Sequence, residues 1–172
     1  MEKIKELREK TGAGRVDCKK ALDEAGGDMD KAVEILRKKG GAKAAKKADR
    51  ATNEGLIDII DSGDNKKVSI AKILCETDFV AQNEDFAAFS RDVAMQIAAA
   101  NPTYIKKEDI PEDVLAGQKD QDADVKESCL LEQPFIKDSK KNIQTCMNEL
   151  VAKIGENMFI GRFVRYKVNE IA

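Results

Sequence analysis

Between residues 67 and 97 the spacing of apolar side chains changes from the period of a strand to that of a helix, and this change sets the fold class. Lys67-Val68-Ser69-Ile70-Ala71-Lys72-Ile73-Leu74-Cys75 alternates as a strand does. Phe86, Phe89, Val93 and Ile97 then fall at i, i+3, i+7 and i+11, one stripe of a helix. Thr77-Asp78-Phe79-Val80 lies on the connection and sets a large aromatic beside a carboxylate where the strand gives way to the helix. A Phe at such a place ordinarily plugs the local core. The competing reading is that it is offered to a partner.

The rest of the chain sorts by the same two periods. Residues 1–40 read as three short helices. Ile4 and Leu7 give one apolar turn before Thr11-Gly12-Ala13-Gly14 reverses the chain. The second helix carries Val16, Ala21, Leu22 and Ala25 and stops at Gly26-Gly27. Asp28 caps a third with Met29, Ala32, Val33 and Leu36, which Gly40-Gly41 is expected to close. The pattern is similar to the ubiquitin-associated three-helix fold, and a bundle of this size has little core of its own. Lys43, Lys46, Lys47 and Arg50 among alanines then make a basic stretch. It reads as a solvated helical linker, or as an RNA-binding strip that lacks aromatics for base stacking.

Residues 55–60 and 68–75 read as two strands joined by the turn-rich stretch 61–66. A helix over 84–100 ends at Asn101-Pro102, and 116–127, without an apolar period, is expected to be a mobile loop. Ile143, Cys146, Met147, Leu150, Val151 and Ile154 make another helical stripe, and Met158, Ile160, Val164, Tyr166 and Val168 alternate as a final strand. The expected fold is therefore α+β: a three-helix bundle over 1–40, a basic helical linker over 41–53, and over 54–172 a core with a short antiparallel sheet covered by helices.

Composition narrows the chemistry. The chain has no histidine, which removes Ser-His-Asp and Cys-His nucleophilic sites and the usual zinc ligands. Cys18, Cys75, Cys129 and Cys146 are scattered without a CxxC pair and read as small buried hydrophobes. There is no P-loop and no GxGxxG, so neither covalent catalysis nor a cofactor or metal is expected. Residues 1–50 hold 15 Lys+Arg against 10 Asp+Glu while the whole chain is at −2, so a mildly basic head precedes an acidic body. That balance suits a charged protein partner better than nucleic acid. Met1-Glu2-Lys3 leads directly into a charged amphipathic segment, and no apolar run reaches the roughly 18 residues of a membrane span, so a cytoplasmic protein is expected.

Three blocks carry a resemblance. Leu7-Arg8-Glu9-Lys10-Thr11-Gly12-Ala13-Gly14-Arg15-Val16-Asp17-Cys18-Lys19-Lys20-Ala21-Leu22, then Cys75-Glu76-Thr77-Asp78-Phe79-Val80-Ala81-Gln82-Asn83, then Val151-Ala152-Lys153-Ile154-Gly155-Glu156-Asn157 resemble, in that order, the signatures of the translation elongation factor Ts family. Leu130-Leu131-Glu132-Gln133-Pro134-Phe135 is a further match. The resemblance implies an exchange factor that binds elongation factor Tu, GDP-bound and nucleotide-free, and promotes GDP release. It implies that Thr77, Asp78, Phe79 and Val80 disturb the partner's magnesium site, and that Arg15 and Val16 dock on its GTPase domain. A weaker contact is implied at Arg162 and Tyr166. Thr77 is expected to hold the turn rather than touch the partner, and core packing remains open for Val16.

The chain departs from the family at Lys72, Leu74 and Gln82, where an acidic residue, an asparagine and a basic residue or asparagine are usual. Gly161 precedes Arg162 where many members carry a basic pair, and the stretch between Leu115 and Cys129 is short. A single small core leaves a sheet edge and an apolar face to cover, so a homodimer through Met158, Ile160, Val164, Tyr166 and Val168 is expected. Two other classes stay open: a ubiquitin-associated-type interaction module without exchange activity, and an RNA-binding protein using residues 38–50.

Overall fold

The computed structural model describes residues 2–117 and 121–170. Its helices are α1 (Glu2–Thr11), α2 (Arg15–Glu24), α3 (Met29–Ala45), α4 (Asp78–Ala81), α5 (Glu84–Ala100), α6 (Glu112–Gly117), α7 (Gln121–Ser128) and α8 (Ile143–Ile154). The strands are β1 (Glu54–Asp61), β2 (Lys67–Cys75), β3 (Pro134–Phe135), β4 (Asp138–Asn142) and β5 (Met158–Lys167). They form two compact units. One holds the chain up to Ala51 together with Thr145–Met158; the other holds Thr52–Gln144 and the stretch from Phe159 onward.

In the first unit α1, α2 and α3 close over Leu7, Cys18, Ala21, Leu22, Ala32 and Leu36; the helical spacing predicts all of these but Cys18, and it also places Val16 on the apolar side of α2, where Val16 is exposed instead. The Asp28 carboxylate accepts from the backbone N–H of Asp30 and of Lys31, each at 3.0 Å, and so satisfies two of the donors a helix start leaves unpaired. The glycine pair at 40–41 does not end α3, which runs on to Ala45. Gly40 is buried because α8 packs there: a Cβ on Gly40 would lie 3.7 Å from both the Ala152 Cβ and the Asn148 carbonyl. Packing offsets the intrinsic cost of about 1 kcal/mol for a helical glycine. The boundary expected at 40 thus falls inside a helix. The linker expected over 41–53 is the end of α3 followed by turns at 46–49.

The second unit is built on a three-stranded sheet in the order β1-β2-β5. β1 and β2 pair antiparallel from Glu54↔Cys75 to Asp61↔Val68. Ser69, Ala71, Ile73 and Cys75 are buried on one face. There α5 supplies Phe86, Phe89, Val93, Ala94 and Ile97, and the Ser69 hydroxyl donates to the Ala94 carbonyl at 2.8 Å. Asn83 caps α5 by accepting from the N–H groups of Asp85 and Phe86. The buried Gln96 amide donates to the Gln133 side chain and the Pro134 carbonyl, and its oxygen accepts from Ile136 N–H, which fixes the β3–β4 hairpin.

Two expectations are corrected here. The stretch 116–127 is not a mobile loop: α6 and α7 occupy its described residues, and 118–120 lie outside them. Each helix is too short to show a period. They contribute Leu115 and Val125 to a minor core with Ile110, Cys129 and Tyr104. The strand β5 does not present one apolar face either. Met158 and Ile160 are buried, Val164 is half-buried, and Tyr166 and Val168 are exposed. The Arg165 guanidinium donates to the Ala98 carbonyl and to the Asn101 side chain at the end of α5, so the last residues of β5 pass beyond the helix that could cover them.

Candidate functional site

Thr77 is the N-cap of α4, its hydroxyl accepting from Val80 N–H at 3.5 Å, and the Cys75 thiol donates to the Thr77 carbonyl at 3.2 Å. Val80 is buried and anchors the turn from below. Asn83 N–H donates to the Val80 carbonyl at 3.0 Å and leads directly into the cap of α5. On this pinned turn Asp78 is exposed and Phe79 is 82% exposed. Phe79 is therefore not the core plug; Val80 takes that place. Among the described residues the Asp78 carboxylate has no hydrogen-bond or ion-pair partner, so the turn offers an aromatic ring and an unengaged acid side by side.

Arg15 and Val16 open α2 after the N-cap Gly14, which has no side chain with which to cap it. Val16 is 66% exposed, because the inward positions of α2 are Cys18, Ala21 and Leu22. Its core-packing reading is corrected accordingly. Arg15 lines an open groove of ≈ 510 Å³ with Glu2, Ile4, Lys5 and Arg8. Nearby, Lys43 donates to the Asp17 carboxylate at 2.8 Å and holds that carboxyl below the usual carboxylate range. Burial pushes the Cys18 and Cys129 thiols up, as expected of inert core cysteines; Cys75 is buried too, Cys146 is half-buried, and none of the four forms a disulfide among the described residues.

Arg162 and Tyr166 are exposed but lie in different grooves. Arg162 sits with Tyr104, Ile105, Asp109 and Phe163, and Tyr166 with Asp61 and residues 65–68, the end of the β1–β2 turn and the start of β2. The structure does not bring them together. Sequence reasoning missed the second face of the sheet, where Ile57 and Ile59 are exposed opposite Lys72 and Ile70. The signal was present: Leu56, Ile57, Ile59 and Ile60 place apolar residues on both faces of one strand. No group of three or more His, Cys, Asp or Glu able to hold a metal exists among the described residues, and no described helix is long and apolar enough to cross a membrane.

No family model matches the chain. Curated proteins do. Elongation factor Ts of Desulforamulus reducens is 47% identical over 97% of this chain and 88% of its own length. The protein of the same name from Caldanaerobacter subterraneus subsp. tengcongensis is 46% identical over 97% of this chain and 95% of its own. That from Maridesulfovibrio salexigens is 46% identical over 97% and 92%. These alignments run over 190 positions against the 172 residues here, so they include positions with no counterpart in this chain. Identity near one half that takes in almost the whole of both sequences means that the chain belongs to the elongation factor Ts family of translation elongation factors.

Proposed function

We propose that this chain is a guanine-nucleotide exchange factor, one that binds elongation factor Tu·GDP and promotes GDP release by disturbing the magnesium and phosphate site. The observation that carries the reading is Phe79, 82% exposed on a turn held by the Thr77 cap and the buried Val80. Leaving a Phe in water forgoes about 1.5–3 kcal/mol of burial. A partner that opens an apolar slot recovers that gain, so the factor favours the opened, nucleotide-poor state over the loaded one. Asp78 beside it accepts hydrogen bonds from groups that would otherwise order the magnesium ion. Linkage makes the antagonism mutual: nucleotide and factor weaken each other by the same ratio. No bond is made or broken, so the reaction needs no nucleophile and no cofactor.

Arg15 and Val16 provide the head's contact with the GTPase domain, and Arg162 and Tyr166 secondary contacts. A homodimer belongs to the same reading, with the surface revised: Met158 and Ile160 are buried within the chain, so the exposed sheet face around Ile57 and Ile59 takes their place. The RNA-binding alternative loses support because Lys39 pairs with Glu24, Lys43 with Asp17, and Lys47 donates to the Gly155 carbonyl. A lone ubiquitin-associated-type module is disfavoured by relatives that match 97% of the chain rather than its first 40 residues.

Release of a fluorescent GDP from elongation factor Tu, with and without this chain, tests the proposal. Faster release that scales with added chain is expected. A stable complex without acceleration would leave only the binding-module reading.

A further inference from the structure

We propose that Asn157 is a positioning residue, the latch that ties the exit of the N-terminal helices to the end of α8; its consequence for exchange rests on the function proposed above. After Ala45 the chain leaves α3 through turns at 46–49, where Lys47 N–H donates to the Ala44 carbonyl, Ala48 N–H to Ala45 and Arg50 N–H to Lys47. The carbonyls of Ala48 and Arg50 lie past the last helical acceptor and need donors from elsewhere. Asn157 supplies both: its side-chain amide donates to Ala48 at 3.2 Å and to Arg50 at 2.9 Å. Two carbonyl partners fix which end of the amide is nitrogen. Asn157 is itself buried, so neither bond is exchanged cheaply for water.

The surrounding residues serve the same junction. Gly155 stops α8 in the left-handed region, φ +95°, its N–H donating to the Val151 carbonyl, and this turn carries the chain to Asn157. The Gly155 carbonyl accepts from Lys47, a second tie running in the opposite direction. Farther along α8, Glu149 pairs with Arg37, and Asn148 and Ala152 flank Gly40. The block at residues 151–157 thus joins α8 to α3, so that α1, α2, α3 and most of α8 form one unit. A partner that docks on Arg15 and Val16 then meets a body already ordered. With the latch broken, docking must first restore the frayed exit, which weakens binding without touching the wedge at residues 77–80.

Limited trypsin digestion and GDP release, run on the full chain, test this with Asn157→Ala and Asn157→Asp. Trypsin cuts after Lys46, Lys47 and Arg50, within the latched turn, and the fragments ending at Lys46 and Arg50 are the ones that all variants share. Both variants are expected to yield fragments ending there about tenfold faster, since two buried hydrogen bonds guard the opening. Asp keeps the shape but cannot donate, so it should behave as Ala does. In GDP release the concentration for half-maximal effect should rise several-fold while the maximal rate stays unchanged. Lys47→Met, which removes the other tie from a half-buried site, should move both readouts the same way by about threefold, and it covers the case of an Asn157 variant that fails to fold. Cleavage at the wild-type rate overturns the latch. Faster cleavage with an unchanged half-maximal concentration, or a fall in the maximal rate alone, overturns the positioning role. If the wild-type chain releases no GDP, the exchange reading falls instead, and the cleavage rates alone decide the latch.

Discussion

At the scale of single residues the decisive feature is the division of labour between Phe79 and Val80. Adjacent apolar residues on a one-turn helix cannot both face inward, and the phase set by the Thr77 cap buries Val80 and exposes Phe79. Linear spacing contains no cap geometry, which is why the core-plug reading was natural from sequence and fails in the fold. The consequence is an asymmetric pair of mutants. Phe79→Ala removes a side chain that stabilises nothing in the free protein, so its melting temperature should stay within a degree or two of wild type, a rough bound for an exposed site. Its exchange efficiency should fall by the equivalent of about 1.5–3 kcal/mol, roughly 10- to 150-fold. Val80→Ala should do the opposite and lower the melting temperature first. A Phe79→Ala protein that melts early would return Phe79 to the core, and one that exchanges normally would remove the wedge.

At the scale of elements, what could be read in advance depended on how many turns or residue pairs an element repeats. The stripe of α5, the strand β2 and, Cys18 apart, the core residues of the three-helix unit were legible because burial repeats along them. α6 and α7 were not, since each sends a single described side chain, Leu115 or Val125, to a small shared core. The end of α3 was misread because glycine is a stop signal only when nothing packs on it, and α8 does. Two glycine substitutions separate these cases. At Gly40 an added methyl reaches its nearest neighbours at 3.7 Å, so Gly40→Ala should stabilise by about 0.5–1 kcal/mol through the lower entropy of the unfolded chain. At Gly55 the same methyl would lie 2.1 Å from the Ile73 carbonyl oxygen at φ +154°, inside the β1–β2 ladder. Gly55→Ala should therefore destabilise strongly, by about 2 kcal/mol or more. Urea denaturation with unchanged slopes would read both, and a destabilised Gly40→Ala would mean that the α3–α8 contact is tighter than these distances allow.

At the scale of the molecule, the three-stranded sheet has one layer of helix and two apolar faces. The face beneath α5 is complete. The other carries exposed Ile57 and Ile59 on β1 and half-buried Ile70 and Leu74 on β2. On β5, Gly161 lies against Leu74 and Lys72, and strand alternation places the exposed Phe159 on the same side. A sheet with both faces apolar is stable when a second layer covers it. A second copy applied about a two-fold axis brings the same face and pairs sheet on sheet. Sedimentation equilibrium at micromolar concentration should then give twice the 19.0 kDa of the single chain. Ile59→Lys should shift the equilibrium to monomer, because each two-fold contact would bury the new charge twice, while the far side of the sheet keeps its packing against α5. The monomeric variant should still release GDP, since residues 77–80 owe their geometry to the Thr77 cap and Val80 within one chain. A wild-type mass of 19.0 kDa throughout the concentration range would rule out the dimer and leave the exposed face to a different partner.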